Sequence, residues 1–582
     1  MRLLNVESRR LREFFDSDIP KYAILPHTWG EEEVTFQDIS KPNHQQKFGY
    51  VKINYCCLQA EEDGLKWVWV DTCCINKDSS TELSEAINSM FRWYQNSEIC
   101  YIYLSDVPSD EDPSRPGSAF RKSRWFTRGW TLQELLAPNH RVFYDSTWSF
   151  IGAIHNSSEH RKTRRRHFRQ AFEKILSEYR VYYERGTRML DLGPTICDIT
   201  GIRPDVIKHE RHPVAVIAAE KMAWASERKT SRIEDIAYCL LGIFGVNMPL
   251  LYGEGDRAFA RLQEEIIRAT YDHSIFSWGL GDNHRGSRGA DWHLLARHPD
   301  VFKQFNRFAD PFKTILGGSH YSMTNLGLHV ELLVIYFGNT NHFFENKNSP
   351  PRTHRSFALG LLDIATAYGK TEEGRIAVPL VQLPKSGDHH RAARCRGGSL
   401  SIVPATLSKI AKRRPIYLSE EAPSAGLLDD IELTTIELDP DEGWVISDYF
   451  PPMIRVEPCG DRGQTIIAME SDVKQILIRY HHSDHGPFLL LLTNNELPDS
   501  VTALNFTHTT WRATKEWSVT MARAVNRNWS TWRTLLEPDY EEFNIQTVLR
   551  TLHWSTVCEF SPTQRVRLVS TRIGIIEIKI AR

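Results

Sequence analysis

No apolar run in this 582-residue chain approaches the ~20 residues that span a bilayer. The longest, "FLLLLT" at residues 488–493, has the length of a strand. The opening "MRLLNVESRRLREFF" is charged too early and too often for a secretory signal. Charge of one sign is missing as well. The formal net charge is -2, which gives no broad basic footprint for nucleic acid and no pull towards an anionic membrane. The ten cysteines form no CxxC pair, so a structural zinc site has little support. Cys56–Cys57 and Cys73–Cys74 are adjacent, a poor geometry for bridging, and read as small buried thiols. No repeat of fixed period is visible, which sets propellers and solenoids aside. These absences leave a soluble intracellular protein, read as cytoplasmic, with no membrane span and no nucleic-acid partner.

What is present is enough apolar material for large cores. Hydrophobic residues make up 41% and aromatics 11%, and a chain of this length is expected to divide into two or three domains. The first part alternates strand and helix signals. "KYAIL" (21–25) is a short apolar run ended by Pro26 and followed by the loop "HTWGEEE". Residues 47–63 carry apolar positions at helical spacing, stopped by Gly64. "KWVWVD" (66–71) is a second strand, with "TCCINKDSS" as its exit loop. Ser79 and Glu82 stand at capping-box spacing before the helix "LSEAINSMFRWYQ". "ICYIYL" (99–104) and "HRVFYD" (140–145) supply two more strands. This order predicts an α/β fold with a mostly parallel sheet and flanking helices. Ligands of such folds sit outside the carboxyl ends of the strands. The loops expected there are "HTWGEEE", "DTCCINK" and the segment before "RGWTLQE".

Three further regions follow from pattern. "RKTRRRHFR" (161–169) is a basic run, read chiefly as a solvated helix face, with a nuclear signal or a phosphate patch as the alternatives. Residues 214–269 are helical in pattern. "SRIEDIAYCLLGIFGV" opens with Ser231 and Glu234 at capping-box spacing, and Ala258, Leu262, Ile266 and Ala269 form one stripe. Beyond about 281 the runs "RIAVPLVQL", "DIELTTIEL", "QILIRY", "PFLLLLT" and "IIEIKI" are β-type, which predicts a separate β-rich domain, a sandwich or barrel-like arrangement. His481, His482 and His485 in "HHSDH" lack a further ligand at metal-site spacing and read as a histidine-rich loop. The expected division is therefore 1–150 for the sheet, 151–280 for a helical extension packed on it, and 281–582 for the β-rich domain.

"KYAILPHTWGEEEVTFQDI", "WVWVDTCCINK", "ELSEAINSMFRWYQNSEICYIYL" and "SRWFTRGWTLQELLAP" together resemble the fungal HET (heterokaryon incompatibility) domain, and residues 222–267 resemble the segment that commonly follows it. Pro26 and Lys77 depart from that family's usual residues, a small polar one and glutamine. No P-loop and no WD-type repeat accompanies the motifs. The resemblance implies a role in non-self recognition and regulated cell death. It also implies a flavodoxin-like, distantly TIR-like fold, a class that either assembles signalling complexes or hydrolyses NAD. The TIR hydrolase motif W-C-L-x-E-L lines up with Trp130, Thr131, Leu132, Gln133, Glu134 and Leu135, with Thr131 in place of the cysteine, and so points to Glu134 as the catalytic carboxylate.

That chemistry is coherent with the residues. Cleavage of the nicotinamide–ribose bond passes through an oxocarbenium-like cation, and the pyridinium leaves without protonation. One carboxylate near the ribose is then enough, where ordinary glycosidases need two. Trp29, Trp130 or Trp125 could stack on a ring of the substrate. Arg128 could hold a phosphate, and His27 and Asp71 could position ribose or water. No glycine-rich fingerprint follows the first strand, so NAD is expected as a substrate and not as a tightly bound cofactor. The competing reading is a non-catalytic scaffold that forms homo-oligomers and meets a protein partner through its β-rich domain. In that case Glu134 simply pairs with Arg128 or Arg124, Asp71 caps a turn, and the tryptophans and His27 are core residues.

Overall fold

The computed structural model describes residues 1–109, 111–155, 191–279 and 294–307. From there it describes 312–315, 321–337, 357–368, 372–386, 389–394, 401–405, 408 and 411–419, and then backbone strands between 431 and 581. The basic run 161–169 lies outside the described residues, as do His482 and His485. The chain separates into two compact units, Met1–Trp278 with Leu295–Ala309, and Gly279–Leu294 with Asp310–Arg582.

The first unit is built on a seven-stranded sheet. Its strands are β1 (Arg2–Asn5), β2 (Leu11–Glu13), β3 (Ala23–Ile24), β4 (Trp67–Trp69), β5 (Ile99–Tyr103), β6 (His140–Tyr144) and β7 (Phe150–His155). The spatial order is β2-β1-β4-β3-β5-β6-β7. β4, β3, β5 and β6 are parallel, with Ala23 paired to both Val68 and Ile99, and Cys100 to Arg141. β1 and β7 run antiparallel at the two sides. The strands read from the apolar runs are all present. Their burial is complete enough (Ala23, Ile24, Val68, Trp69, Cys100, Tyr101 and Ile102 at 0% exposure) to explain why the runs are continuous and do not alternate.

Helices flank this sheet. α1 (Tyr50–Glu62) buries Ile53, Cys56, Cys57 and Ala60 against β4 and ends before Gly64, whose φ of 75° takes the left-handed turn. α2 is the short turn Asp71–Cys74. α3 (Ser80–Asn96) starts where the capping signal places it: the Ser79 hydroxyl accepts the Glu82 amide. The Glu82 carboxylate does not return to Ser79; it takes the Asn76 amide and Arg2 instead. Ser79→Ala is expected to lower stability by about 1 kcal/mol, measured by urea unfolding. Trp69 of β4 meets Trp93 and Tyr94 of α3 edge-on, an arrangement that adds to their burial. α4 (Ala119–Lys122) and α5 (Thr131–Leu136) precede β6. Arg141 of β6 is fully buried and donates to Leu135 O at the end of α5 and to Ile207 O. It therefore ties the sheet to the next segment.

That segment comprises α6 (Gly193–Thr200), α7 (Pro204–Ile207), α8 (Ala218–Ala225), α9 (Asp235–Tyr238), α10 (Leu241–Phe244) and α11 (Arg257–Ala269). "SRIEDIAYCLLGIFGV" is two short helices and not one, and Ser231 does not cap it. Glu234 occupies the N-cap position of α9, and its carboxylate takes the amides of Gly253 and Gly255. α10 packs on α3 through Gly242, where a Cβ would collide with Phe91. In α11 Ala258, Leu262 and Ile266 are buried, with Phe259 and Ile267 beside them, while Ala269 is exposed. Buried Gln263 exchanges two hydrogen bonds with the backbone of Ala296, which fastens the returning stretch Leu295–Ala309.

The second unit is β-rich, as its runs predict. β8 (Lys313–Thr314), β9 (Tyr321–Thr324), β10 (Gly327–Phe337), β11 (Phe357–Tyr368), β12 (Glu372–Ser386), β13 (His389–Arg394), β14 (Ser401–Pro404) and β15 (Lys412–Leu418) form one sheet. β12 pairs with β11 along one side and with β13 along the other, and β13–β15, β15–β10 and β10–β11 complete the circuit. The five strands thus close into a small barrel, which leaves those five without a free edge. Alternation follows: Leu328, Val330, Leu332 and Val334 are buried, while His329, Glu331 and Leu333 are not fully so. Two five-stranded sheets are formed by the strands after 430.

Candidate active site

The parallel strands taken in chain order lie in space as second, first, third, fourth. This is the flavodoxin-like order, whose switch point lies between the first and third strands. β3 and β5 are those strands, and their pairing runs on as a bridge from His27 to Tyr103. His27 and Trp29 follow β3, and Asp71 follows β4. A helix leading back into a parallel strand begins at the same end, so the first turn of α5, with Glu134 in it, lies at this edge too.

Asp71 is the hub. Its Oδ2 accepts the Trp29 indole N–H at 2.8 Å and lies 3.7 Å from Lys77 Nζ; its Oδ1 lies 3.7 Å from His27 Nε2. The side chain does not cap α2. Burial raises its pKa, but Lys77, His27, the Trp29 N–H and Lys52 together outweigh that and hold the carboxyl below its ordinary value. His27 is 5% exposed. Its Nδ1 lies 3.1 Å from Leu25 O. A carbonyl only accepts, so Nδ1 carries the proton and Nε2 turns a lone pair to Asp71. Burial, with Lys52 adding to it, takes the imidazole down to about 4, against the opposing pull of Asp71 and Glu33. His27 is therefore neutral at pH 7.

Glu134 is 7% exposed. Its Oε2 accepts the Trp125 indole N–H at 3.2 Å, and the Tyr94 hydroxyl is a second partner. Burial, then the charge on Asp71, lift its pKa to about 8, against Arg128 and the two hydrogen bonds. Two neighbouring carboxyls are thus driven apart, Asp71 ionised and Glu134 protonated at neutral pH. That is the condition under which one fold runs acid and base chemistry together. Tyr94 lies between them electrostatically: burial first, then Glu134 and Asp71, push its hydroxyl up.

The structure joins His27 and Trp29 directly to Asp71, and places Asp71 and Arg128 within electrostatic reach of Glu134. It does not bring in Trp130, whose indole hydrogen-bonds Asp235 of α9. Trp125 is fully buried, edge-on to Phe126 and Phe143, and acts on Glu134 through its N–H. Arg124 turns away to Asp106. Among the described residues no cysteine is bridged, and Cys56, Cys73 and Cys100 are buried thiols raised well above their usual range, Cys56 and Cys100 chiefly by that burial and Cys73 chiefly by the hydrogen bond its thiol shares with Cys74, with burial next.

Sequence reasoning missed four contributors. Lys52 of α1 is 7% exposed and pairs with Glu33 of the "HTWGEEE" loop. Tyr94 comes from the buried face of α3. Lys77 reaches Asp71 and lies over the Trp29 ring, Nζ 3.3 Å from its centroid. Arg228, 4% exposed, donates from Nη1 to Arg128 O and to the Thr131 hydroxyl, each at 2.9 Å. Beside it Lys229 N donates to Thr127 O and Gly129 N to Lys229 O. Gly129 is needed at this crossing, because a Cβ there would collide with the Thr230 methyl. A lysine inside "YVKINYCC" or an arginine inside "WASERK" reads as a solvated helix residue, and no local signal separates the two cases.

Comparison with known proteins follows the same half of the chain. Residues 22–120 match the family model described as Heterokaryon incompatibility protein (HET), and residues 257–291 match a domain of unknown function, DUF8212. The chain is 42% identical over 269 residues to "Vegetative incompatibility protein HET-E-1" of Podospora anserina. That match takes in 45% of this chain but spans only 17% of the length of the relative. No solved structure matches the chain. Among the described residues no helix is long and apolar enough to cross a membrane, and no group of three or more His, Cys, Asp and Glu is placed to hold a metal ion.

Proposed function

Because this chain carries a HET domain, we propose that it acts as an effector of heterokaryon incompatibility, promoting regulated cell death by TIR-like hydrolysis of NAD at the nicotinamide–ribose bond. The observation that carries the reading is the split carboxyl pair, Asp71 held low and Glu134 pushed up to about 8, at the carboxyl edge of a sheet with flavodoxin-like strand order. Water replaces nicotinamide at the ribose carbon, giving ADP-ribose, nicotinamide and a proton. Glu134 rests protonated. A pyridinium cation placed beside it favours its ionised form, so the carboxylate appears when substrate arrives and then stabilises the oxocarbenium-like transition state in a site where water screens little. Asp71, already ionised, and neutral His27 orient ribose or the attacking water, and Arg128 balances charge near Glu134.

The test is NAD turnover by the full chain at concentrations that allow assembly, beside Glu134→Ala, with circular dichroism on both. Turnover that vanishes in an equally folded variant supports the reading. Equal turnover in both overturns the role of Glu134. One observation favours a second reading, a HET signalling scaffold that oligomerises and recruits a partner through its β-rich unit: Glu134 already has Trp125 and Tyr94 as hydrogen-bond partners and little exposure. Absence of turnover in the assembled native chain would select it.

A further inference from the structure

A side-chain ammonium occupies an aromatic and carboxylate cradle at the carboxyl edge of the sheet. Lys77 Nζ lies 3.3 Å from the centroid of the Trp29 ring, while Asp71 Oδ2 is 3.7 Å from the same nitrogen. The Trp29 N–H is itself hydrogen-bonded to that Oδ2 at 2.8 Å, so ring and carboxylate are locked at a fixed angle. Ring and carboxylate are thus joined by a bond of their own as well as through Lys77. Trp29 is 43% exposed and the Lys77 side chain 31%. Lys77 is held by charge and by the ring face; at 3.7 Å its pair with Asp71 is beyond hydrogen-bond distance.

An indole face with a carboxylate beside it is the chemistry that recognises flat or quaternary organic cations. We propose that the Trp29 ring and the Asp71 carboxylate form a subsite for a pyridinium cation and that Lys77 is its built-in competitor, which the ligand must displace. This deepens the reading of the site as an NAD hydrolase and rests on it for the ligand class: the part of the dinucleotide recognised here is its positively charged ring. Withdrawal of Lys77 would uncover the Trp29 face beside Asp71 Oδ2, which keeps the Trp29 N–H, and would make the local charge more negative by one unit. Occupation by Lys77 therefore sets the resting affinity low.

The experiment measures binding and not turnover, by titration calorimetry on the full chain. The probes are 1-methylnicotinamide, a pyridinium cation, and nicotinamide, its neutral counterpart. Lys77→Met is expected to bind the cation about tenfold more tightly than the native chain, with nicotinamide changed by less than about twofold. Lys77→Arg, which keeps a cation on the ring, should stay near the native value, and adding Asp71→Asn to Lys77→Met should remove the gain. Equal tightening for both probes would overturn the proposal, because it would report only opened space. So would unchanged cation binding in a Lys77→Met chain that circular dichroism shows to be folded; should that variant misfold, Lys77→Gln answers the same question. A native chain that never hydrolyses NAD would refute the hydrolase and leave this binding result standing, so the two failures are distinct.

Discussion

Glu134→Gln is expected to unfold at a clearly higher temperature than the native chain at pH 8, and at nearly the same temperature at pH 5. The folded carboxyl titrates at about 8 against an ordinary 4.5. Between those values the folded state holds a proton that the unfolded state has released. Its contribution is therefore fully present below pH 4.5 and is lost as pH rises through 8. The lost stability amounts to roughly 4 to 5 kcal/mol over that window. Glutamine does not ionise and takes the same space; its oxygen can accept the Trp125 N–H while its amide faces the Tyr94 hydroxyl. Thermal unfolding of both chains across pH 5 to 8.5 reads the difference directly. A constant gap between them would mean that Glu134 does not carry its proton into the neutral range. If the hydrolase reading holds, the same variant loses NAD turnover while gaining stability, the pairing expected of a functional group kept at a cost to the fold.

The second large effect is expected from Glu33→Gln. Lys52 and Glu33 are 8% and 9% exposed at their side chains. Glu33 also accepts the Gly30 amide at 2.7 Å, which holds the turn after Trp29. Glutamine can keep the amide contact but leaves the Lys52 charge buried without its counter-ion, an error worth about 3 to 5 kcal/mol. The pH dependence has a definite sign. Burial lowers the Lys52 pKa even now, against the pull of Glu33, and loss of Glu33 lowers it further. The unfolded lysine then holds more protons than the folded one below its free value, so the defect eases as pH rises towards 10. Lys52→Met in the same chain should restore most of the loss. Urea unfolding of the native chain, Glu33→Gln, Lys52→Met and the double variant forms a closed cycle. Failure of the second change to rescue the first would show that Glu33 acts through Gly30 alone. The double variant should also let His27 titrate slightly above its present value of about 4, since the depressing effect of Lys52 that it removes is larger than the opposing effect of Glu33 that goes with it, a shift that histidine proton resonances would follow.

The four parallel strands were legible because each is buried along all but at most one end residue and punctuated by proline, aspartate or a polar loop, as in "KYAILP" and "KWVWVD". The outer pair β1 and β2 was not, since "RLLN" and "LRE" are short and charged, with β2 largely exposed. Of the site, His27, Trp29 and Asp71 could be placed together from topology alone, because loops after neighbouring parallel strands must meet. The partners that set their protonation could not. Lys52 and Tyr94 come from helix faces, where a residue's rotational position decides whether it meets solvent or the sheet. Arg228 comes from nearly a hundred residues beyond the loop it holds (|i−j| 97 to Thr131). Glu134 stood out only by its resemblance to a known motif; its local pattern is that of any glutamate in a first helical turn. The barrel closure of β12 was equally hidden, since one strand serving two neighbours over different parts of its length leaves no mark in alternation.

The clamp of Arg228 and Lys229 on the Glu134 loop bears on how such a module can be inherited. A fragment ending at residue 155 would retain every strand of the sheet and every acid of the site, and would look complete. It would still leave Gly129 N, Thr127 O and Arg128 O without the partners that the later segment supplies. A gene fusion that carries the sheet into a new protein and keeps these contacts must therefore run past its last strand to residue 229 at least.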